Sequence, residues 1–88
     1  MPPKWKKTLE AVLSRRRDEN IPFDSLRGLF LALGFRERIR GGHHIFERDG
    51  IEELVVLQTS GSKAKGYQVK QARNLIERHS LDGGETGK

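Results

Sequence analysis

The chain is expected to be a small α+β domain, α-β-β-β-α in order with an extra N-terminal helix, its three-stranded antiparallel sheet covered by helices on one face. Three observations predict this. Apolar residues recur at helical spacing up to residue 34, the period drops to two between 35 and 57, and helical spacing returns after a polar stretch. The 88 residues suffice for one domain burying roughly 60 to 65% of the surface its unfolded chain would expose.

The first helix rests on Trp5, Leu9, Val12 and Leu13, with Arg15, Arg16 and Arg17 near its negative end, where cations suit the helix dipole. Pro22 forces Ile21 into an extended conformation and marks a boundary. A second helix begins between Pro22 and Asp24. Its apolar stripe of Leu26, Leu29, Phe30 and Leu33 ends at Gly34, a C-terminal cap.

Alternation over 35–40 predicts a strand with Arg36, Arg38 and Arg40 on one face and Glu37 and Ile39 on the other. Gly41-Gly42 turns the chain into a second strand, 43–47. Asp49-Gly50 signals a hairpin into a third, 52–57, where Leu54, Val55, Val56 and Leu57 run together. The segment 58–66 reads as a basic loop. A last helix, 67–81, carries Val69, Ala72, Leu75 and Ile76 on one face, with Lys70, Arg73, Glu77 and Arg78 elsewhere. The chain therefore divides into an additional helix over 1–20, a domain over 21–81 and a frayed tail over 82–88.

Seventeen Lys and Arg against twelve Asp and Glu leave a formal charge of +5. That balance suits a polyanion such as nucleic acid. No apolar run is long enough to cross a bilayer, and no signal-peptide core follows Met1, so a cytoplasmic protein without a membrane role is expected. Without cysteine there is neither a disulfide framework nor a thiolate metal site.

The run Arg40-Gly41-Gly42-His43-His44-Ile45-Phe46 concentrates the chemistry. Glycine lets a backbone approach a ligand closely, and imidazole exchanges protons near neutrality. Strand alternation sends His43 and Ile45 to one face and His44 and Phe46 to the other, so the histidines do not share a site. His44 is expected to pack, half-buried, near Phe46 or pair with a strand neighbour. No metal is expected, because adjacent strand residues diverge and no paired-histidine ligand spacing occurs. No other cofactor is called for.

Arg36, Arg38 and Arg40 form either a phosphate-binding stripe or a solvated edge that discourages aggregation. Lys63, Lys65 and Lys70 surround a helix N-terminus, where backbone N–H groups favour anions. Tyr67 either stacks on a base or covers the core edge.

Leu33-Gly34-Phe35, the glycine-histidine run and Ser62-Lys63-Ala64-Lys65-Gly66-Tyr67-Gln68-Val69-Lys70-Gln71-Ala72-Arg73-Asn74 together resemble the HicA-type toxins of bacterial toxin-antitoxin systems, over about residues 22–81. The resemblance implies a fold like that of double-stranded-RNA-binding domains. It also implies an endonuclease that cleaves mRNA and halts translation, and a HicB-type antitoxin as partner. The family's Gly-Ser-His motif maps onto Gly41-Gly42-His43, which makes His43 the catalytic residue. Arg38, Arg40, Gly41, Gly42, Lys63, Lys65, Lys70 and Arg73 then form the expected RNA-contacting set. Gly42 stands where the family has serine. Two outcomes stay open: slowed cleavage, or an RNA-binding module that does not cut. A third class, a regulatory protein whose basic surface docks an acidic protein, needs no catalysis.

Overall fold

Helix α1 (Lys4–Ser14) starts after Pro3 and buries Thr8, Leu9 and Val12; helix α2 (Phe23–Ala32) starts after the extended Pro22 and buries Phe23, Leu26, Leu29 and Phe30. In the computed structural model, residues 3–81 are described. Strands β1 (Arg36–Arg40), β2 (His43–Arg48) and β3 (Ile51–Leu57) form an antiparallel sheet in chain order. Helix α3 (Gly66–Arg78) closes the described chain. The protein is thus an α+β domain with three helices and a three-stranded antiparallel sheet. The expected tail over 82–88 lies outside the described residues.

The core explains this arrangement. Phe46, Val55 and Leu57 project from the sheet into a cluster with Leu26, Leu29, Phe30, Val69, Ala72, Leu75 and Ile76. Phe30 stacks on Phe46 with centroids 5.2 Å apart and meets Phe35 edge-on at 5.0 Å. Burying such a side chain is worth roughly 1.5–3 kcal/mol, so these aromatics anchor the sheet to α2. Leu33, expected in the core, is only half-buried at its margin.

The additional N-terminal helix packs into the core of the domain. Leu9 and Val12 belong to the same core as α2 and α3, and Arg73 binds the carbonyl of Val12 at 3.0 Å. The helix stops earlier than its basic run suggested. Arg15 takes a left-handed conformation (φ 64°) as C-cap, which turns Arg16 and Arg17 away from the helix axis.

The segment 58–66 is not a plain loop. Thr59–Ser60 (β4) pairs with Lys63–Ala64 (β5) in a two-stranded hairpin, with Gly61 at φ 67°. Ala64 N–H donates to Ile21 O, and Phe23 N–H to Ser62 O, both at 2.9 Å. The hairpin is thereby stitched to the start of α2. Helix α3 ends at Arg78, three residues before the expected limit, and Glu53 of β3 binds both Arg78 Nη1 (2.6 Å) and His79 Nε2 (3.0 Å).

Among the described residues, no helix is long and apolar enough to cross a membrane.

Candidate functional site

Two glycines bend β1 into β2, and only the first needs its special freedom. Gly41 has φ 59°, whereas Gly42 has an ordinary φ, and a Cβ at Gly42 would meet nothing within 4 Å. The turn sets Arg40 directly opposite His43 across the hairpin.

Pairing fixes the faces. Phe46 opposes Glu37 and Val55, and His44 opposes Ile39 and Leu57; this is the helix-covered side. Arg40 and His43, and then Arg38, Ile45 and Val56, occupy the open side. His43 is exposed there, as alternation predicts. Val56 (41% exposed), opposite Ile45, and Leu54 (54%), farther along β3, are exposed apolar side chains of this sheet.

His44 has a different task. Its Nδ1 lies 2.8 Å from Glu37 Oε2, which also accepts from Arg27 Nε at 2.7 Å, and its ring meets Phe23 edge-on at 4.9 Å. The Arg27 hydrogen bond, assisted by His44, holds the Glu37 carboxyl below its ordinary range despite burial. This network joins α2 to β1 and β2. His44 is therefore a packed structural residue on the face opposite His43.

The three arginines of β1 share the open face but not the same freedom. Arg36 Nη2 lies 3.2 Å from Asp49 Oδ1 and 3.9 Å from Glu47 Oε2; Arg38 Nε lies 3.8 Å from Glu47 Oε2. Arg40 has no ion-pair partner among the described residues, so the cation nearest His43 along the hairpin is the uncommitted one.

The second basic group lies along β5 and the start of α3. Lys63 Nζ donates to Asn20 Oδ1 at 3.1 Å. Lys65 is the half-buried N-cap of α3, and Lys70 is exposed on that helix, close enough to Asp18 to favour its charged form. Tyr67 is 61% exposed and does not cover the core edge.

Arg73 overturns its expected place on the binding surface. It is 6% exposed, and its guanidinium holds both oxygens of Asp18 at 3.0 and 3.2 Å. Its position on α3 turns it toward α1, where desolvation demands that every donor find a partner. A buried, neutralised arginine has no charge to offer an external phosphate.

The glycine at the start of α3 has a further neighbour. A Cβ on Gly66 would collide with the Glu19 carboxylate, so an acidic group already sits against the helix's positive end. The segment after α1 thus places its own anion where an external one was expected.

Sequence reasoning missed two features. A cleft of ≈ 220 Å³ between α1 and the 17–25 segment is lined by Lys4, Lys7, Arg17 and Asn20, among others. The helical spacing of Lys4 and Lys7 was visible, but the left-handed turn at Arg15 that brings Arg17 beside them was not. The other feature is Gln58, whose Nε2 lies 2.8 Å from His43 Nε2.

Gln58 reaches His43 through an irregularity in the sheet. Carried back regularly from Arg48↔Ile51, the pairing would set Val56 against His43; instead residues 52–54 of β3 stand opposite Glu47 alone, and Phe46 pairs with Val55. The register advances by two, so each side chain keeps its face while the neighbour of His43 changes.

Among the described residues, no group of three or more His, Asp or Glu side chains is arranged to hold a metal ion. Searches of protein-family models, curated proteins and solved structures found no match to this chain.

Proposed function

We propose that the protein is a HicA-like toxin: a metal-independent endoribonuclease that cleaves mRNA in the cytoplasm, on a double-stranded-RNA-binding-domain-like arrangement, and is held in check by a HicB-type antitoxin. The observation that carries this reading is the placement of an exposed His43 directly across from Arg40, which has no ion-pair partner among the described residues, at a glycine turn on the open sheet face. A phosphodiester laid along that face meets a cation and a proton-transfer group together.

His43 takes the proton from a ribose 2′-hydroxyl or gives one to the departing 5′-oxygen. Such a group is typically worth about 10²–10⁴-fold in rate. Arg40 offsets the charge that builds on the phosphorane oxygens. Attack by the 2′-oxygen breaks the P–O5′ bond and leaves a 2′,3′-cyclic phosphate. Lys63, Lys65 and Lys70 hold flanking phosphates without reading sequence.

The test is inducible expression of wild type and His43→Ala in bacteria, following growth and mRNA integrity together. Growth arrest with cyclic-phosphate ends, only in the wild type, is expected. Products ending in a 3′-hydroxyl, or equal cleavage by His43→Ala, would overturn the reading.

A second reading, an RNA-binding module that does not cut, is favoured by two observations. The side chain touching His43 is the amide of Gln58, which does not ionise, and Gly42 supplies no hydroxyl. Equal RNA binding by wild type and His43→Ala, with no cleavage by either, would select it.

A further inference from the structure

Gln58 stands where β3 ends, and its backbone is gripped from behind. Gln68 is 1% exposed; with its amide oriented to satisfy both contacts, it donates to Gln58 O and accepts from Gln58 N–H, each at 2.9 Å. Gln68 lies in the first turn of α3, so a buried side chain on a helix fixes the residue that touches His43. A buried amide with both ends satisfied is a stiff connection. The imidazole therefore sits on a supported platform, although it is exposed.

We infer that Gln58 is a positioning residue for His43, one that holds Nε2 and so dedicates Nδ1 to the substrate. This rests on the proposed ribonuclease reading for its catalytic consequence, but not for its geometry. With its amide nitrogen toward Nε2, Gln58 donates, and in that orientation the neutral ring carries its proton on Nδ1. Nδ1 has no partner among the described residues. In that state it donates a hydrogen bond to a phosphate oxygen beside Arg40.

Rotation of the Gln58 amide by half a turn presents Oε1 instead. That orientation accepts a proton from Nε2–H and leaves the Nδ1 lone pair open. Nδ1 then takes the proton of the 2′-hydroxyl as the 2′-oxygen attacks phosphorus; the P–O5′ bond breaks, the departing 5′-oxygen takes a proton from solvent, and the ring is left as an imidazolium still held through Nε2–H. One neutral side chain thus serves the ring before and after proton transfer. A carboxylate partner would accept only, and would fix the ring in the Nε2–H form.

The test uses the full chain labelled with ¹⁵N, comparing wild type, Gln58→Leu and Gln58→Glu. The ring nitrogens of His43 report the tautomer directly, and the backbone amide spectrum verifies that each variant is folded. Wild type should hold a majority Nδ1–H form in the neutral ring. Gln58→Leu should fall back to the Nε2–H majority of a free imidazole, and Gln58→Glu should be almost wholly Nε2–H. Identical tautomer populations in all three would overturn the inference.

Single-turnover cleavage gives the catalytic arm. Gln58→Leu should lose about tenfold in the chemical step with substrate affinity within about twofold, roughly 1.4 kcal/mol of barrier. Gln58→Glu, which keeps Nε2 engaged, should recover most of that loss. A Gln58→Leu rate equal to wild type would remove Gln58 from the catalytic step. Absence of cleavage in wild type would remove the ribonuclease reading and leave the tautomer result to judge the geometry alone.

Discussion

Arg73 reaches back along the chain to Asp18, 55 residues away, and binds both of its carboxylate oxygens, at 3.0 and 3.2 Å. Removing one partner leaves the other charge in a poorly solvated place. Arg73→Leu should therefore destabilise the fold by about 3–5 kcal/mol. Urea denaturation measures this; a loss confined to RNA affinity, with stability unchanged, would show that Arg73 faces solvent.

Acid should weaken the same pair. The hydrogen bond from Arg73 lowers the Asp18 pKa below its ordinary value of 3.8, so the unfolded chain binds the proton more readily than the folded one. The associated stability is complete above that ordinary value and drains away as pH falls through the lower, folded value. Glu37, lowered from 4.5 chiefly by Arg27, behaves in the same sense. Urea midpoints between pH 6 and about 2.5 should fall in wild type and fall less steeply in Asp18→Asn, which starts from a lower plateau.

Gly42 has room for the serine hydroxyl that the proposed HicA-like reading would place there. Its φ is ordinary and a Cβ meets nothing within 4 Å, so Gly42→Ser should change stability by less than about 0.5 kcal/mol. Cleavage should rise about tenfold, worth roughly 1.4 kcal/mol of barrier. Steady-state cleavage of a short RNA reads this, and an unchanged rate would show that the hydroxyl has no part here. Gly41→Ser, by contrast, forces a side chain into the left-handed region at φ 59° and should cost stability by about 1 kcal/mol.

The arginines of β1 should separate by their ion pairs. Arg40→Gln should weaken RNA binding and reduce the slope of log K against log salt by about 0.7–0.9. Arg36→Gln should do less, because Asp49 and Glu47 already draw its charge. Equal slopes for the two variants would count against Arg40 as the committed phosphate contact.

The charge already lying against α3 gives a further outcome. Glu19→Gln removes an anion from the helix N-terminus, so RNA affinity should rise two- to fivefold, about 0.4–1 kcal/mol, within the range of a helix-dipole interaction. Filter binding at fixed salt checks this. Weaker binding would mean that Glu19 orders the basic hairpin rather than competing with phosphate.

The helices and the opposite facing of the two histidines were legible because they depend on local periods. Leu26, Leu29 and Phe30 announce α2, and the alternation through His43, His44, Ile45 and Phe46 survives any change of partner strand. The candidate site was legible only in part. Gln58 comes beside His43 through the two-residue shift in the β2–β3 register, and no local pattern encodes that shift. Arg73 misled because charge on a helix reads as solvent exposure until its buried partner is known; Asp18 lies on a segment whose path depends on the left-handed turn at Arg15. The short β4–β5 hairpin escaped because two-residue strands carry almost no periodicity.

The clamp of Gln68 on Gln58 ties the seating of α3 to the side chain that touches His43. A ligand or partner that tilts that helix by a fraction of an ångström would retune the aim of the imidazole while the hydrophobic core stayed intact. On the proposed function, inhibition then needs only a lever on α3 and leaves the mouth of the hairpin uncovered.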